Sequence, residues 1–327
     1  MSTINNILNI VLPPLSLVLL PIYMLPYLFF KLFIYVKSLF YKENMAGKVV
    51  LITGAASGLG EQLAYEYARQ GARLSLVDIK KENLVEVADM ATSLGSPDVI
   101  IIGADVSKVQ DSKQFVDETI NYFGQFSDAV NHLVNNAGVG GDPRLIEDCS
   151  DVTKYTSIMD TNFWGAIHGT LQAIPHLKNS KGRIIVIASY TGWFPLPRLS
   201  FYNASKAAVI SFFETLRLEL GWCIGITIVT PGFLKTKMAL RAYEYEASLR
   251  IIPMGSTFEC AKEIVKSACR GNMYVTNPSW VKVMFPFKMF YPELVDWAQQ
   301  HVFGLLPKSS KNGNLHILKN NQVLKEE

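Results

Sequence analysis

The segment Thr53-Gly-Ala-Ala-Ser-Gly-Leu-Gly60 constrains this chain more than any other. It follows an apolar run, Val49-Val-Leu-Ile52, and precedes a stretch with helical spacing. A glycine-rich turn between a strand and a helix lets the backbone come close to a ligand. The helix start then offers free N–H groups and the positive end of its dipole, which suits a phosphate. Gly54, Ser57, Gly58, Leu59 and Gly60 are therefore candidate contacts for the pyrophosphate of a dinucleotide. The spacing is Gly-x-x-x-Gly-x-Gly rather than the commoner Gly-x-Gly-x-x-Gly.

Around that turn the pattern alternates. Strands are expected at Lys48–Thr53, Arg73–Asp78, Val99–Gly103, His132–Asn135, Arg183–Ala188 and Ile224–Val229. Helices are expected at Leu59–Gln70, Glu82–Leu94, Lys108–Phe123, Val152–Leu177 (one long helix) and Ser200–Leu220. Short apolar runs alternating with helices read as an α/β, doubly wound parallel sheet, Rossmann-like, with helices on both faces. Ligands of such sheets lie at the carboxyl ends of the strands. Asp78 ends the second strand, where its carboxylate can accept from a ribose 2′-OH and would repel a 2′-phosphate. It favours NAD over NADP, although Lys80 and Lys81 lie close by. Asp105 and Val106 follow the third strand as candidate adenine contacts. Asn135, Asn136, Ala137 and Gly138 follow the fourth, where small residues would let the cofactor lie against the strand ends.

A second constellation lies downstream. Tyr202 and Lys206 are four residues apart on an expected helix and so share a face, and Ser189 follows the fifth strand. A phenol is a poor base at neutral pH, but a nearby ammonium, together with a cationic nicotinamide, would favour its phenolate. Tyr202 could then take or return an alcohol proton while a hydride moves to or from the nicotinamide. Ser189 could hold the substrate oxygen. The loop Tyr190–Leu199, with Trp193, Phe194, Pro195 and Pro197, reads as a stiff apolar wall. With Leu234–Gly255 it suggests a bulky apolar alcohol or ketone. Ser189, Tyr202 and Trp193 are the candidate substrate contacts.

No charged side chain precedes Lys31, and Ile7–Phe30 is nearly all apolar. A bilayer core needs about 20 such residues as helix. Pro13, Pro14, Pro21 and Pro26 interrupt the run, so either one spanning helix or two short helical arms around a proline turn would fit. Lys31, Lys37 and Lys42 lie on its C-terminal side, which orients the main domain toward the cytosol. The chain divides into an anchor (1–43), a dinucleotide-binding domain (44–276), an apolar segment (277–306) and a polar tail (307–327). Trp280–Leu306 reads either as a membrane-facing or pocket-covering flap or as ordinary core.

Composition narrows the function classes. The chain has 327 residues and a formal charge of +3, with no basic run interleaved with aromatics, so a nucleic-acid partner is not expected. Four cysteines without a Cys-x-x-Cys pair read as reduced thiols. The five histidines lack metal-ligand spacing, and no metal is expected. The helix with Val209, Phe212, Phe213, Leu216 and Leu220 is apolar on more than one face. Its second face would be covered by a partner subunit, giving a homodimer, or by the chain's own C-terminal segment.

These motifs resemble the short-chain dehydrogenase/reductase family of the Tyr-x-x-x-Lys kind. The resemblance runs from about Gly47 to Val275 and includes the glycine turn, Asn135-Asn-Ala-Gly138, Asn162 in Asp160-Thr-Asn-Phe-Trp-Gly165, the Ser–Tyr–Lys set, and Pro231-Gly232 through Thr236. It implies a catalytic set of Ser189, Tyr202, Lys206 and Asn162, with Asn162 anchoring a water that links Lys206 to solvent. Pro231, Gly232 and Thr236 join Tyr202 and Lys206 as cofactor contacts. The apolar leader, with Glu61-Gln-Leu-Ala-Tyr-Glu-Tyr67 and Phe201-Tyr-Asn-Ala-Ser-Lys-Ala207, is similar to the plant 11β-hydroxysteroid dehydrogenase-like proteins, including the oil-body steroleosins. That implies a steroid-like lipid substrate and a place on the endoplasmic reticulum membrane or a lipid droplet. Asp78 stands where several relatives carry a basic residue. Three function classes stay open: a hydroxysteroid dehydrogenase, an enzyme of the same type for another lipid (long-chain ketone, retinoid or sphingoid base), and a non-catalytic lipid-droplet coat protein.

Overall fold

A computed structural model of the chain describes residues 2–40, 42–124 and 130–305. The expected polar tail (307–327) lies outside the described residues. Seven strands form one parallel sheet: β1 (Val49–Thr53), β2 (Arg73–Asp78), β3 (Val99–Gly103), β4 (His132–Asn135), β5 (Arg183–Ile187), β6 (Gly225–Pro231) and β7 (Tyr274–Asn277). Their order is β3-β2-β1-β4-β5-β6-β7, so the direction of winding reverses between β1 and β4. A crevice opens at such a reversal, beyond the carboxyl ends of the strands.

The helices that follow the strands cover both faces. In chain order the α-helices are α1 (Ser2–Phe40), which precedes the sheet and covers neither face, then α2 (Gly58–Arg69), α3 (Leu84–Ser93), α4 (Val109–Phe123), α5 (Thr156–Met159), α6 (Gly165–Ser180), α7 (Ser200–Leu220), α8 (Lys237–Tyr245), α9 (Thr257–Cys269), α10 (Met284–Phe290) and α11 (Pro292–Val302). Alternation along β1 explains the layering. Val50 and Ile52 pack with Leu63 and Tyr67 of α2, Val87 of α3 and Ile264 of α9. Leu51 faces the other way, toward Phe115 of α4, Leu177 of α6 and Phe213 of α7. A strand covered on both faces reads as a continuous apolar run, as β1 does.

Two expectations need correction. The helix expected over Val152–Leu177 is broken: a 3-10 turn (Val152–Tyr155) leads into α5, and a π-turn (Asp160–Trp164) joins α5 to α6. The extra residue in a π-turn rotates the following face. On α7, Phe212 meets Phe163 of the π-turn, with ring centroids 6.0 Å apart. Finally, the two-armed alternative for the leader gives way to one continuous helix, with all four prolines inside it. Its stretch Ile4–Phe33 is long and apolar enough to cross a membrane, and none of the other described residues buries it. The Ser16 hydroxyl donates to the Pro13 carbonyl at 2.7 Å, a kind of local bond that supports a helix around proline in lipid.

Just after α1 the chain is fastened to the amino ends of the strands. The Glu43 N–H donates to the Cys269 carbonyl at 2.9 Å. The Glu43 carboxylate pairs with Lys48 at 2.6 Å and lies 3.3 Å from Nε2 of His132, which is fully buried. The Tyr67 hydroxyl lies 2.8 Å from His132 Nδ1. One protonation state serves all three groups: a neutral imidazole whose Nε2–H donates to Glu43 and whose Nδ1 accepts from Tyr67. Burial holds the His132 pKa below its ordinary value, which agrees with that state. Burial raises the Glu43 carboxyl, but the hydrogen bond from His132 and the bond and charge of Lys48 outweigh it and hold it at about 2. A carboxyl depressed in the folded state stabilises it above the unfolded value of 4.5, and that margin is lost as pH falls toward 2. Glu43→Gln should therefore lower stability by ~1 kcal/mol at pH 7 and by much less near pH 2.5. Thermal unfolding of the detergent-solubilised chain at the two pH values checks this.

Candidate active site

The glycine turn leaves β1 at Thr53 and is tied to the end of β4. The Thr53 hydroxyl oxygen accepts from the N–H groups of Asn136 and Ala137 at 3.1 and 3.2 Å. The Asn136 amide donates to the carbonyls of Thr53 and Gly54 at 3.0 and 2.9 Å. Gly54 has φ +66°, and a Cβ there would stand 2.7 Å from Ala137 Cα. At Gly60 a Cβ would stand 2.1 Å from the Gly54 carbonyl oxygen. Both glycines are thus required by close backbone approach.

This knot opens onto a cleft of about 470 Å³ at the carboxyl ends of the strands. Of the expected residues, Gly54, Ser57, Gly58, Leu59, Asp78, Asp105, Val106, Asn136, Ala137, Gly138, Ser189, Tyr202, Lys206, Pro231, Gly232 and Thr236 line it. Gly60, Asn135, Asn162 and Trp193 do not. Gly60 shapes the turn from behind. Asn135 faces α6 and donates to the Thr170 hydroxyl at 2.8 Å. Trp193 packs among Tyr190, Phe194 and Phe285, and its carbonyl accepts from Lys288 at 2.6 Å. It supports the wall from outside rather than forming its inner surface.

Cradle and charge fit a dinucleotide. The glycine turn leaves room for a pyrophosphate at the start of α2. Asp78 sits at the end of β2, where one carboxylate oxygen accepts from Ala56 N–H at 3.1 Å and the other from Lys80 N–H at 3.0 Å. These bonds fix the carboxylate between turn and cleft and leave lone pairs for a ribose hydroxyl. Asp105 is more constrained: one oxygen accepts from both the N–H and the hydroxyl of Ser107, so its carboxylate shapes a turn.

At the other end of the cleft, Ser189 caps a short turn. Its oxygen accepts from the Thr191 N–H at 3.2 Å and the Thr191 hydroxyl at 3.0 Å. That leaves the Ser189 proton to donate to the Tyr202 hydroxyl, a bond that favours the phenolate. Thr191 was missed by sequence reasoning; its position two residues beyond the serine was the available signal. Lys206 is buried, with its ammonium 2.9 Å from the Ile187 carbonyl and 5.8 Å from the Tyr202 ring centroid. Burial lowers its pKa from 10.5 to about 8.

The phenol differs from expectation. Burial raises the Tyr202 pKa, and only the Ser189 bond pulls it down. The ammonium is held by the Ile187 carbonyl, 5.8 Å from the centroid of the ring. Asn162 is buried in the π-turn: its amide donates to the Val139 carbonyl and the Ser205 hydroxyl, both at 2.9 Å, and its oxygen accepts from Val139 N–H at 2.7 Å. Gly138 lies between Asn162 and Lys206, since a Cβ there would stand 3.0 Å from the Asn162 oxygen and 3.4 Å from the lysine nitrogen. Cleft residues beyond those expected include Ile79, Lys80, Tyr190, Thr191, Phe233 and Met238.

A phosphate-cradling turn at the sheet's reversal point, with a phenol, an amine and a hydroxyl gathered at the other end of one cleft, defines a nucleotide-dependent oxidoreductase. Comparison with known proteins agrees. The family model for short chain dehydrogenases matches residues 48–247. The chain is 45% identical over 310 residues to 11-beta-hydroxysteroid dehydrogenase A of Sesamum indicum, covering 91% of this chain and 87% of that one. It is 47% identical over 305 residues to 11-beta-hydroxysteroid dehydrogenase-like 2 of Arabidopsis thaliana, covering 93% and 96%. Among solved structures, a short chain dehydrogenase/reductase from Burkholderia phymatum in complex with NAD superposes with a TM-score of 0.68 at 25% identity, covering 77% of this chain and 96% of that one. The chain belongs to the short chain dehydrogenase family and is an NAD(P)-dependent dehydrogenase acting on CH–OH groups.

The close contact behind the turn gives a test. In Gly60→Ala the new methyl meets backbone at 2.1 Å, so the turn must open although the residue does not line the cleft. NADH affinity should fall at least tenfold and stability by ~2 kcal/mol or more. Fluorescence titration and thermal unfolding measure the two effects.

Proposed function

We propose that this protein is an NAD-dependent dehydrogenase that oxidises a bulky apolar alcohol of steroid type, or reduces the corresponding ketone, while held at a lipid surface by residues 4–33. The single observation that carries this reading is the convergence of Ser189, Tyr202 and Lys206 on one cleft with the glycine cradle. Bound there, the nicotinamide exchanges a hydride with the substrate carbon. Ser189, with its oxygen fixed by Thr191, directs its proton at the substrate oxygen or the Tyr202 hydroxyl. Tyr202 moves the alcohol proton. Lys206 supplies positive charge beneath the ring, and Asn162 holds strand end and helix around it and anchors the water that connects Lys206 to solvent.

Asp78 supports NAD over NADP, because a 2′-phosphate would meet a carboxylate already fixed by two backbone N–H groups. The Sesamum and Arabidopsis relatives are named as 11-beta-hydroxysteroid dehydrogenases, which supports a steroid-like substrate. So do Tyr190, Leu199, Phe233, Leu234 and Ala242, which make that end of the cleft mainly apolar. The exposed apolar helix Ile4–Phe33 supports a bilayer or droplet surface. Trp280, Phe285, Phe290 and Trp297, exposed on the C-terminal segment, add to that surface. A purely structural coat protein would have no use for the buried ammonium, whose lowered pKa marks its burial as costly.

NADH should bind the detergent-solubilised chain at least ~tenfold more tightly than NADPH, as fluorescence titration would read. Tighter NADPH binding would overturn the role given to Asp78. Tyr202→Phe should cut turnover of an 11β-hydroxysteroid by at least ~100-fold with NADH affinity unchanged. The proton acceptor works only when deprotonated and its pKa is raised by burial, so kcat for alcohol oxidation should climb as pH rises from 7 to above 9. A flat profile over that range would remove Tyr202 from the proton path.

A further inference from the structure

Three loops enclose the substrate end of the cleft. Residues 139–149 contribute Val139, Gly140 and Gly141; residues 190–199 contribute Tyr190 and Leu199; and the stretch from α8 onward contributes Met238 and Ala242. One residue outside the cleft, Arg198, belongs to the second loop and joins the other two, one through its main chain and one through its side chain. Arg198 has φ +68°, a left-handed backbone that glycine adopts freely and a side chain with Cβ does not. Its carbonyl accepts from the Arg144 N–H at 2.9 Å, which ties it to the first loop. Its Nε lies 3.0 Å from Glu246 Oε2, with both side chains mostly buried. That N–H is not aligned for a hydrogen bond, so the contact is a pairing of charges.

Glu246 is fixed in turn. Its other oxygen accepts from the Ser248 N–H at 3.0 Å and the Ser248 hydroxyl at 2.6 Å, capping the turn Ala247–Ile251. Burial raises the Glu246 carboxyl, but the Ser248 bonds and the Arg198 charge outweigh it, so it stays ionised. Within that turn Leu249 is fully buried against Tyr190, Phe194, Leu196 and Leu199. The Arg250 Nε–H donates to the Tyr243 carbonyl at 3.0 Å, and the Tyr243 hydroxyl donates to the Ile252 carbonyl. The third loop is therefore self-braced, and Glu246 is its ionic link to Arg198.

We propose that Arg198 is a positioning residue: paired with Glu246 and bonded to Arg144, it clasps the three loops over Tyr202 and sets how bulky an alcohol the cleft accepts. This rests on the dehydrogenase reading above. A glycine would relieve the backbone at 198 and keep the carbonyl bond. An arginine held there in spite of its conformation points to work done by the side chain.

Substitution at 198 separates backbone from charge. In the full chain, Arg198→Gly should raise KM for an 11β-hydroxysteroid about fivefold, equivalent to ~1 kcal/mol, with kcat and NADH affinity unchanged. Glu246→Gln should do the same, the double variant should add nothing further, and Arg198→Lys should restore most of the loss. Hydrogen exchange of amides 246–252 with NADH bound should rise about tenfold in both single variants and return with Arg198→Lys. Unchanged KM and unchanged exchange in Arg198→Gly would overturn the clasp. So would additive effects in the double variant, or exchange in Arg198→Lys as fast as in Arg198→Gly. If the wild-type chain oxidises no hydroxysteroid, the substrate reading fails, and the exchange comparison alone decides the clasp.

Discussion

The joint between the ends of β1 and β4 governs the rest of the molecule. Two N–H groups converge on one threonine hydroxyl, and one asparagine amide spans two consecutive carbonyls. Neighbouring strands lie about 4.8 Å apart, and here the chain must also turn sharply into α2 within that spacing. The only way through is backbone without side chains, hence Gly54 and Gly60. Once the joint is closed, the helices after β1 and β4 leave toward opposite faces, and the gap between them is the cleft. Asn136 thus holds the strand ends together at the edge of the cleft.

The same economy of space appears at the reacting end. An ammonium out of water is costly unless strong acceptors surround it. Lys206 has the Ile187 carbonyl and the electron-rich face of Tyr202, and burial still lowers its pKa to about 8. Its position is defined by what cannot move: the end of β5 below it, the tyrosine one helical turn before it, and Gly138 beside it, where no side chain could stand without meeting Asn162. The π-turn is what brings Asn162 inward. An uninterrupted helix over the same residues would carry it around to another face.

Much of this was legible in the residues. The six expected strands all form, because buried parallel strands are short apolar runs that stand out between helices. β7 stayed hidden: Tyr274-Val-Thr-Asn277 is short, half polar and on the sheet edge. The π-turn was hidden for a different reason. Nothing in Asp160-Thr-Asn-Phe-Trp164 breaks a helix, and the register shift follows from packing against α7 and loop 139. Motif spacing found Ser189, Tyr202 and Lys206, but it could not show that Thr191 accounts for both serine lone pairs. Nor could it show that Asn135 faces α6, or that Trp193 points away from the cleft. Those are properties of side-chain direction, which a motif does not encode.

The anchor and the cleft are attached to opposite ends of the sheet. Glu43, Lys48 and His132 lie at the amino ends of the strands, and the glycine cradle and Tyr202 lie at the carboxyl ends. Strands of four to seven residues rising about 3.3 Å each put roughly 15–20 Å between the two. The apolar helix therefore joins the domain at a buried, charge-paired junction, on the side of the sheet away from Tyr202 and Lys206. That junction also divides the chain. Residues up to Phe40 belong to the apolar helix, whereas Glu43 and Met45 already pack with the domain. Glu43 completes the hydrogen bonding of a buried histidine, and Met45 is almost wholly buried. A truncation that keeps Lys42 onward preserves the junction, and one that begins at Lys48 leaves His132 without its carboxylate and opens a hole where Met45 packs.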